Sequence, residues 1–339
     1  MAAVLPVHAP RALLRAFGIL PIEVWGPPGV DATPGMRRLQ PYVCSIVRNA
    51  LAFLESGGLE VTDLLLVPHA CDSLQGLGSV LIDFVQPRQT VLPFYLPRAE
   101  GAQARRFLAE ELRALRARLE ALTGRALAED ELMQAVCEEE AADAWLARLH
   151  AEREALPLDD LEFYRVIRGR EYLPLDDFVA RAEAVLGLPR AAGRSGTPLV
   201  LSGIVPEPMG ILSAIGDLGG RVVADDLAAC GRRLYRAGSS TDPFTRLAEG
   251  LLSGPPDSTR GASVDDRLDY LLNLVRHTGA RGVIFHEVKF CEPELFYLPE
   301  LRRGLQAAGV RSTVLEVDLN EVVSRQMLTR IEAFLEMVA

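Results

Sequence analysis

The chain carries five cysteines, Cys44, Cys71, Cys137, Cys230 and Cys291. Three of them share one local setting. Cys71, in Pro68-His-Ala-Cys-Asp72, and Cys291, in Lys289-Phe-Cys-Glu292, each follow a buried-strand pattern and precede a helical one. Cys44, in Tyr42-Val-Cys-Ser45, opens a helix after a Gly- and Pro-rich loop. A helix N-terminus presents unsatisfied N–H groups and a positive partial charge, which favours the thiolate that binds metal. Amides there also hydrogen-bond cluster sulfides. The three thiols are 27 and 220 positions apart, with no Cys-x-x-Cys pair. Spacing by itself therefore leaves two readings open, a shared metal site and three unlinked structural thiols. Cys137, mid-helix, reads as structural. Cys230, in Ala229-Cys-Gly231, reads as a non-ligand close to the same cleft. The odd count does not read as a disulfide framework.

Other side chains near these loops have two readings each. His69 is a candidate proton relay or hydrogen-bond donor to a cluster sulfur, or a turn-stabilising residue. Asp225 and Asp226 end a strand on the cleft side. Asp226 is a candidate acid–base group, a cap or turn being the alternative for both. Lys289 is a candidate for lowering the pKa of Cys291 or meeting a phosphate, or else faces solvent. Arg232 and Arg233 read as phosphate ligands or as exposed. His286 reads as a satisfied core histidine, or as facing the same side as Val288 and Phe290. Glu292 and Glu294 lie in a first helical turn, where carboxylates are favoured anyway.

The elements that must position these residues follow an α/β rhythm at both ends. Helix and short strand are expected over 9–27, a helix over 41–56, a buried strand at 63–68, a helix to about 84 and a strand over 90–95. From 99 to about 187 the pattern is helical, with long amphipathic helices over 105–122 and 129–149 and shorter ones at 159–168 and 175–186. After Gly193-Arg-Ser-Gly-Thr-Pro198 the rhythm returns, with strands at 199–205, 221–225, 282–288 and 312–317. Helices are expected there at 209–218, 268–278, 293–308 and 324–338. The expected fold is α/β, two doubly wound, Rossmann-like (flavodoxin-like) parallel-sheet domains with a helical bridge. The boundaries are an N-terminal domain over 1–98, the bridge over 99–192 and a C-terminal domain over 193–339. The strand–cysteine–helix pattern around Cys71 is echoed around Cys291, which suggests related halves.

With 339 residues and a net charge of −10, the chain has no broad basic surface for nucleic acid, and no apolar run approaches the ~20 residues of a membrane span. No secretory pattern is visible at Met1–Pro10, so the expected location is cytoplasmic. No G-x-x-x-x-G-K-[ST] loop is present, so ATP is not expected to be used on this chain.

Val288-Lys-Phe-Cys-Glu-Pro-Glu-Leu-Phe296 resembles the third-ligand motif of the 2-hydroxyacyl-CoA dehydratase and benzoyl-CoA reductase family. Pro68-His-Ala-Cys-Asp72 resembles its second, and Tyr42-Val-Cys-Ser45 its first. Gln326-Met-Leu-Thr-Arg-Ile-Glu-Ala-Phe-Leu-Glu336 resembles its C-terminal signature, and Leu201-Ser-Gly203, Val222–Asp226 and Cys230-Gly-Arg232 fit its second domain. The resemblance covers nearly the whole chain. It implies a [4Fe-4S] cluster on Cys44, Cys71 and Cys291. It also implies an acyl-CoA or aryl-CoA substrate, a paralogous second subunit in a heterodimer and a separate ATP-dependent iron–sulfur activator. The implied reaction is single-electron reduction of the thioester to a ketyl radical anion, leading to dehydration or ring reduction. Two alternatives accompany it, a non-catalytic electron-transfer or scaffold subunit and a zinc protein using the same thiolates. The chain is short for the family, and Ser253-Gly-Pro-Pro-Asp-Ser-Thr-Arg260 lacks a cysteine that some relatives carry there. The adjacent cysteine pair of the double-cubane branch is also absent.

Overall fold

The computed structural model describes every residue except Ala192. The expected end of the bridge at 192 lies outside the described residues. Two four-stranded sheets, parallel throughout, carry the molecule. The first comprises β1 (Ala2–Val4), β2 (Pro21–Glu23), β3 (Leu64–His69) and β4 (Thr90–Tyr95), in the order β2-β1-β3-β4. The second comprises β5 (Thr197–Gly203), β6 (Gly220–Leu227), β7 (Gly282–Val288) and β8 (Arg311–Val317), in the order β6-β5-β7-β8. The two orders are the same: the second strand of each half lies outside the first, and the third on its other side. Central parallel strands covered on both faces read as continuous apolar runs. Leu64–Val67 in β3 and all of β7 are buried accordingly.

Between the sheets run the helices Ala102–Thr123, Glu129–Glu152, Asp160–Ile167 and Leu175–Leu186. Leu108, Leu112, Leu115 and Leu119 form the buried stripe of the first, while Phe107 and Leu122 are exposed. Gly124 ends that helix in the left-handed conformation. One apolar core runs without a break through the first sheet, these helices and the inner face of the second sheet, and a smaller one lies on the second sheet's other face.

Three elements differ from expectation. β1 gives no warning in the sequence, because three residues, Ala-Ala-Val, give no period to detect. The helix expected over 293–308 is two helices, Glu292–Leu295 and Leu298–Ala307, the second starting with Pro299 in its first turn, where a missing N–H costs nothing. The helix Pro243–Leu252 is an addition to the expected elements. It starts at Asp242, whose carboxylate accepts from the Thr245 N–H at 2.8 Å. Among the described residues no helix is long and apolar enough to cross a membrane.

Candidate functional site

In an open parallel sheet a ligand gathers beyond the carboxyl ends of the strands, at the point where the strand order reverses. Here that point lies between β1 and β3 in one sheet and between β5 and β7 in the other, and the two points face a single pocket. Pro6 and Val7 follow β1, Cys71 and Leu74 follow β3, Ile204 follows β5, and Cys291 and Pro293 follow β7. Cys44, Ile46 and Val47 enter from the start of the helix Ser45–Glu55, and Trp25, Ala228 and Thr259 complete the wall. The pocket is narrow, with a cavity volume of about 40 Å³, and no charged residue lines it.

Thus Cys44, Cys71 and Cys291, distant in sequence, share one cavity. Each is the N-cap residue of a helix: Ser45–Glu55, Asp72–Val80 and Glu292–Leu295 respectively. The N–H groups of Ile46 and Val47 beside Cys44, and those of Ser73 and Leu74 beside Cys71, favour the charged sulfur, although neither side chain forms a cap hydrogen bond. Cys44 and Cys291 are within hydrogen-bond reach of one another.

The expectation that helix N-termini lower the pKa of all three thiols is met only by Cys44, whose pKa is lowered chiefly by its interaction with Cys291 and further by the two amides. Burial pushes Cys71 up to about 12. Cys291 is pushed well above the usual thiol range by its hydrogen bond to Cys44 and by burial. Desolvation exceeds the dipole effect because no fixed cation lines the pocket. A metal centre supplies the missing positive charge and deprotonates its thiols outright. Three soft donors, backbone amides and apolar walls match an iron–sulfur cluster. Among the described residues no three His, Cys, Asp or Glu side chains converge closely enough to hold one metal ion. A mononuclear zinc site requires such convergence, whereas a cubane attaches each thiolate to a different iron.

The other candidates lie outside the pocket wall. His69 ends β3 and packs edge-on against Tyr95 at 4.5 Å, with burial lowering its pKa. Asp226 is fully enclosed. It accepts from Arg232 Nε at 2.8 Å, from Arg267 Nη2 at 2.7 Å and from Ser202 Oγ at 2.9 Å. Arg232 also donates twice to Glu294, at 2.8 and 2.9 Å, and Glu294 accepts from Arg267 and Ser258. Arg232 and Arg233 are therefore buried ion-pair partners, not exposed groups, Arg233 donating twice to Glu23. Asp225 closes a turn by accepting from the Gly231 N–H at 2.6 Å. Lys289 pairs with Glu321 at 2.8 Å on the surface. His286 is wholly buried, as a core histidine should be, but its ring nitrogens have no hydrogen-bond partner among the described residues, and burial lowers its pKa to about 4. Cys230 is buried away from the pocket wall, and Cys137, expected to be structural, is exposed.

Sequence reasoning misses Pro6, Val7, Trp25 and Thr259 as pocket residues, and Glu287, Arg267 and Ser258 in the ion network behind Cys291. The Pro6-Val-His8 loop becomes legible only once β1 is known to be a central strand. Glu287 stands four residues before Cys291, and its buried carboxyl has one oxygen without a partner among the described residues. Burial first, and then Glu294, push its pKa up to about 8.

Comparison with known proteins agrees with this architecture. The sequence profile described as 2-hydroxyglutaryl-CoA dehydratase, D-component, matches residues 6–338. The beta subunit of lactoyl-CoA dehydratase from Anaerotignum propionicum is 24% identical over 344 aligned residues, covering 99% of this chain and 91% of that one. The beta subunit of (R)-2-hydroxyglutaryl-CoA dehydratase from Acidaminococcus fermentans is 24% identical over 349, covering 98% and 90%. A benzoyl-CoA reductase subunit of Thauera aromatica is 27% identical over 318, covering 88% and 80%. With the profile matched almost end to end, the chain belongs to the 2-hydroxyglutaryl-CoA dehydratase D-component family.

Proposed function

We propose that this chain is the iron–sulfur subunit of an enzyme that dehydrates or reduces an acyl-CoA or aryl-CoA thioester, with Cys44, Cys71 and Cys291 holding a [4Fe-4S] cluster. The observation that carries the reading is the meeting of these three thiols, drawn from both sheets, in one uncharged pocket at two facing strand-order reversals. Relatives that are themselves named as subunits support a paralogous second subunit, and the same reading places the chain in the cytoplasm and gives it a separate ATP-dependent iron–sulfur activator. The domain plan proposed with it is 1–98, 99–192 and 193–339. When bound, the cluster supplies single electrons at low potential to the thioester.

The chain's own residues do the rest. Cys44, Cys71 and Cys291 would hold the cluster, and the amides of Ile46, Val47, Ser73 and Leu74 would offset its negative charge. Val7, Trp25, Ile204 and Ala228 keep bulk water from the sulfurs. Glu294, held by Arg232 and Arg267, anchors the helical turn that presents Cys291.

The test is iron and sulfide analysis with EPR after anaerobic purification. The expected result is about four irons per chain. Cys71→Ala and Cys291→Ala should lose most of that iron while the far-UV circular dichroism stays unchanged. Wild-type protein without iron, indistinguishable from both variants, would sink the reading.

A further inference from the structure

Among the described residues, Thr259 brings the one hydroxyl to the wall of the cysteine pocket. That hydroxyl is the inner end of a hydrogen-bonded line. Thr259 Oγ1 lies 2.9 Å from His8 Nε2, and His8 Nδ1 lies 3.1 Å from the Tyr235 hydroxyl. His8 and Thr259 are buried. Tyr235 is half-buried and lines a separate cavity of about 50 Å³, roomy enough for water. This second cavity is ionic. Glu139, Asp143 and Arg233 line it, as do Arg11 and Arg170, whose Nε and Nη1 respectively have no partner among the described residues. Three side chains in hydrogen-bond contact thus join an ionic cavity to an uncharged one.

The line has a direction. Asp257 Oδ1 accepts from Thr259 Oγ1 at 2.8 Å and from the Thr259 N–H at 2.8 Å. Although burial opposes it, Arg232, His8 and Arg260 together hold Asp257 well below the usual carboxylate range. A hydroxyl has one proton. With that proton on Asp257, Thr259 Oγ1 accepts from His8 Nε2–H, which leaves His8 Nδ1 to accept from the Tyr235 O–H. The ring this requires is neutral. Burial lowers the His8 pKa to about 3 against the pull of Asp257, with Arg260, Arg233 and Arg232 acting on the side of burial. Burial also pushes Tyr235 up to about 12, so its phenol keeps its proton. An electron added to the cysteine pocket meets no fixed cation in the wall, and a proton that follows it removes the cost of the buried charge.

We propose that Tyr235, His8 and Thr259 carry a proton from the ionic cavity into the cysteine pocket when that pocket gains an electron, and carry it back when the electron leaves. The proposal rests on the cluster reading above. Thr259 Oγ1 turns its proton from Asp257 to a sulfur in the pocket, His8 Nε2–H replaces it, and the Tyr235 O–H protonates Nδ1. Tyr235 then takes a proton from solvent. One proton enters for each electron, and His8 is left with its proton on Nδ1. Loss of the electron runs the same moves backwards and restores the first tautomer. The test uses anaerobically purified protein with its iron counted. The wild-type midpoint potential, followed by EPR between about pH 6.5 and pH 8.5, should fall by about 59 mV for each tenfold loss of protons. In stopped-flow reduction by titanium(III) citrate, Thr259→Val keeps the side-chain shape without the hydroxyl and should be slower by more than about tenfold. Thr259→Ser should stay close to wild type. Tyr235→Phe, outside the pocket wall, should be slowed like Thr259→Val with its iron unchanged. A potential that ignores pH, equal rates for Thr259→Val and Thr259→Ser, or Tyr235→Phe at wild-type speed would each overturn the proposal. With full iron, any of these leaves the cluster reading standing, whereas wild-type protein without iron sinks both.

Discussion

Glu287 is the carboxyl that the buried ion network does not balance. Arg232 and Arg267 are committed to Asp226, Asp257 and Glu294, so a further carboxylate beside them carries a charge without compensation. Its pKa in the fold, about 8, lies above its ordinary value of 4.5. A raised carboxyl pKa means that the folded state binds the proton more tightly. The stability this adds is full below pH 4.5 and is lost as pH rises from there through about 8. His8 works in the opposite sense. Burial lowers its pKa to about 3, so its contribution is lost as pH falls from 6.5 toward that value. Glu287→Gln keeps the neutral form at every pH. Its melting temperature should fall less than that of the wild type between about pH 5 and pH 8.5. Parallel melting curves for the two proteins over that interval would show that Glu287 does not titrate there.

At the scale of elements, the loop after β2 must pass very close to the start of the Cys44 helix. Gly26 makes that passage with φ +69°, and a Cβ there would stand 2.4 Å from the Ile46 carbonyl oxygen. Gly26→Ala should therefore cost about 1–3 kcal/mol in a denaturant titration. It should also lower iron retention, because relief of the clash displaces the turn carrying Cys44. Full iron content in a destabilised variant would place the strain elsewhere. Elements of this kind divide by legibility. β3, β4 and β7, and the helix that follows β3, are readable because long apolar runs and Gly or polar breaks are local signals. The three cysteines are readable as a type of residue in a type of turn. That they meet is not, since it depends on how two sheets face one another. β1 and the 257–259 turn escape for a related reason, as each is a few residues long and gains meaning from its neighbours. Asp226 illustrates the converse. Its position at a strand end suggests chemistry, but two arginines from distant segments enclose it.

At the scale of the molecule, the site draws on both sheets, so whatever binds there ties the two together. A group bound only by the folded state adds stability by mass action. Anaerobic reconstitution with iron and sulfide should raise the wild-type melting temperature and leave those of Cys71→Ser and Cys291→Ser unmoved; equal shifts in all three would mean that the iron binds elsewhere. The shared strand order has a consequence for ligand count. Cys71 and Cys291 occupy corresponding positions, each after the third strand of its sheet. Cys44 caps the helix leading into the third strand of its half, and the corresponding cap, before the helix Val264–Thr278, is Ser263. Two perfectly duplicated halves would supply four thiolates and close a cubane's coordination. The duplication is broken at a single corner, and in the cluster reading that asymmetry leaves one iron free to meet a substrate.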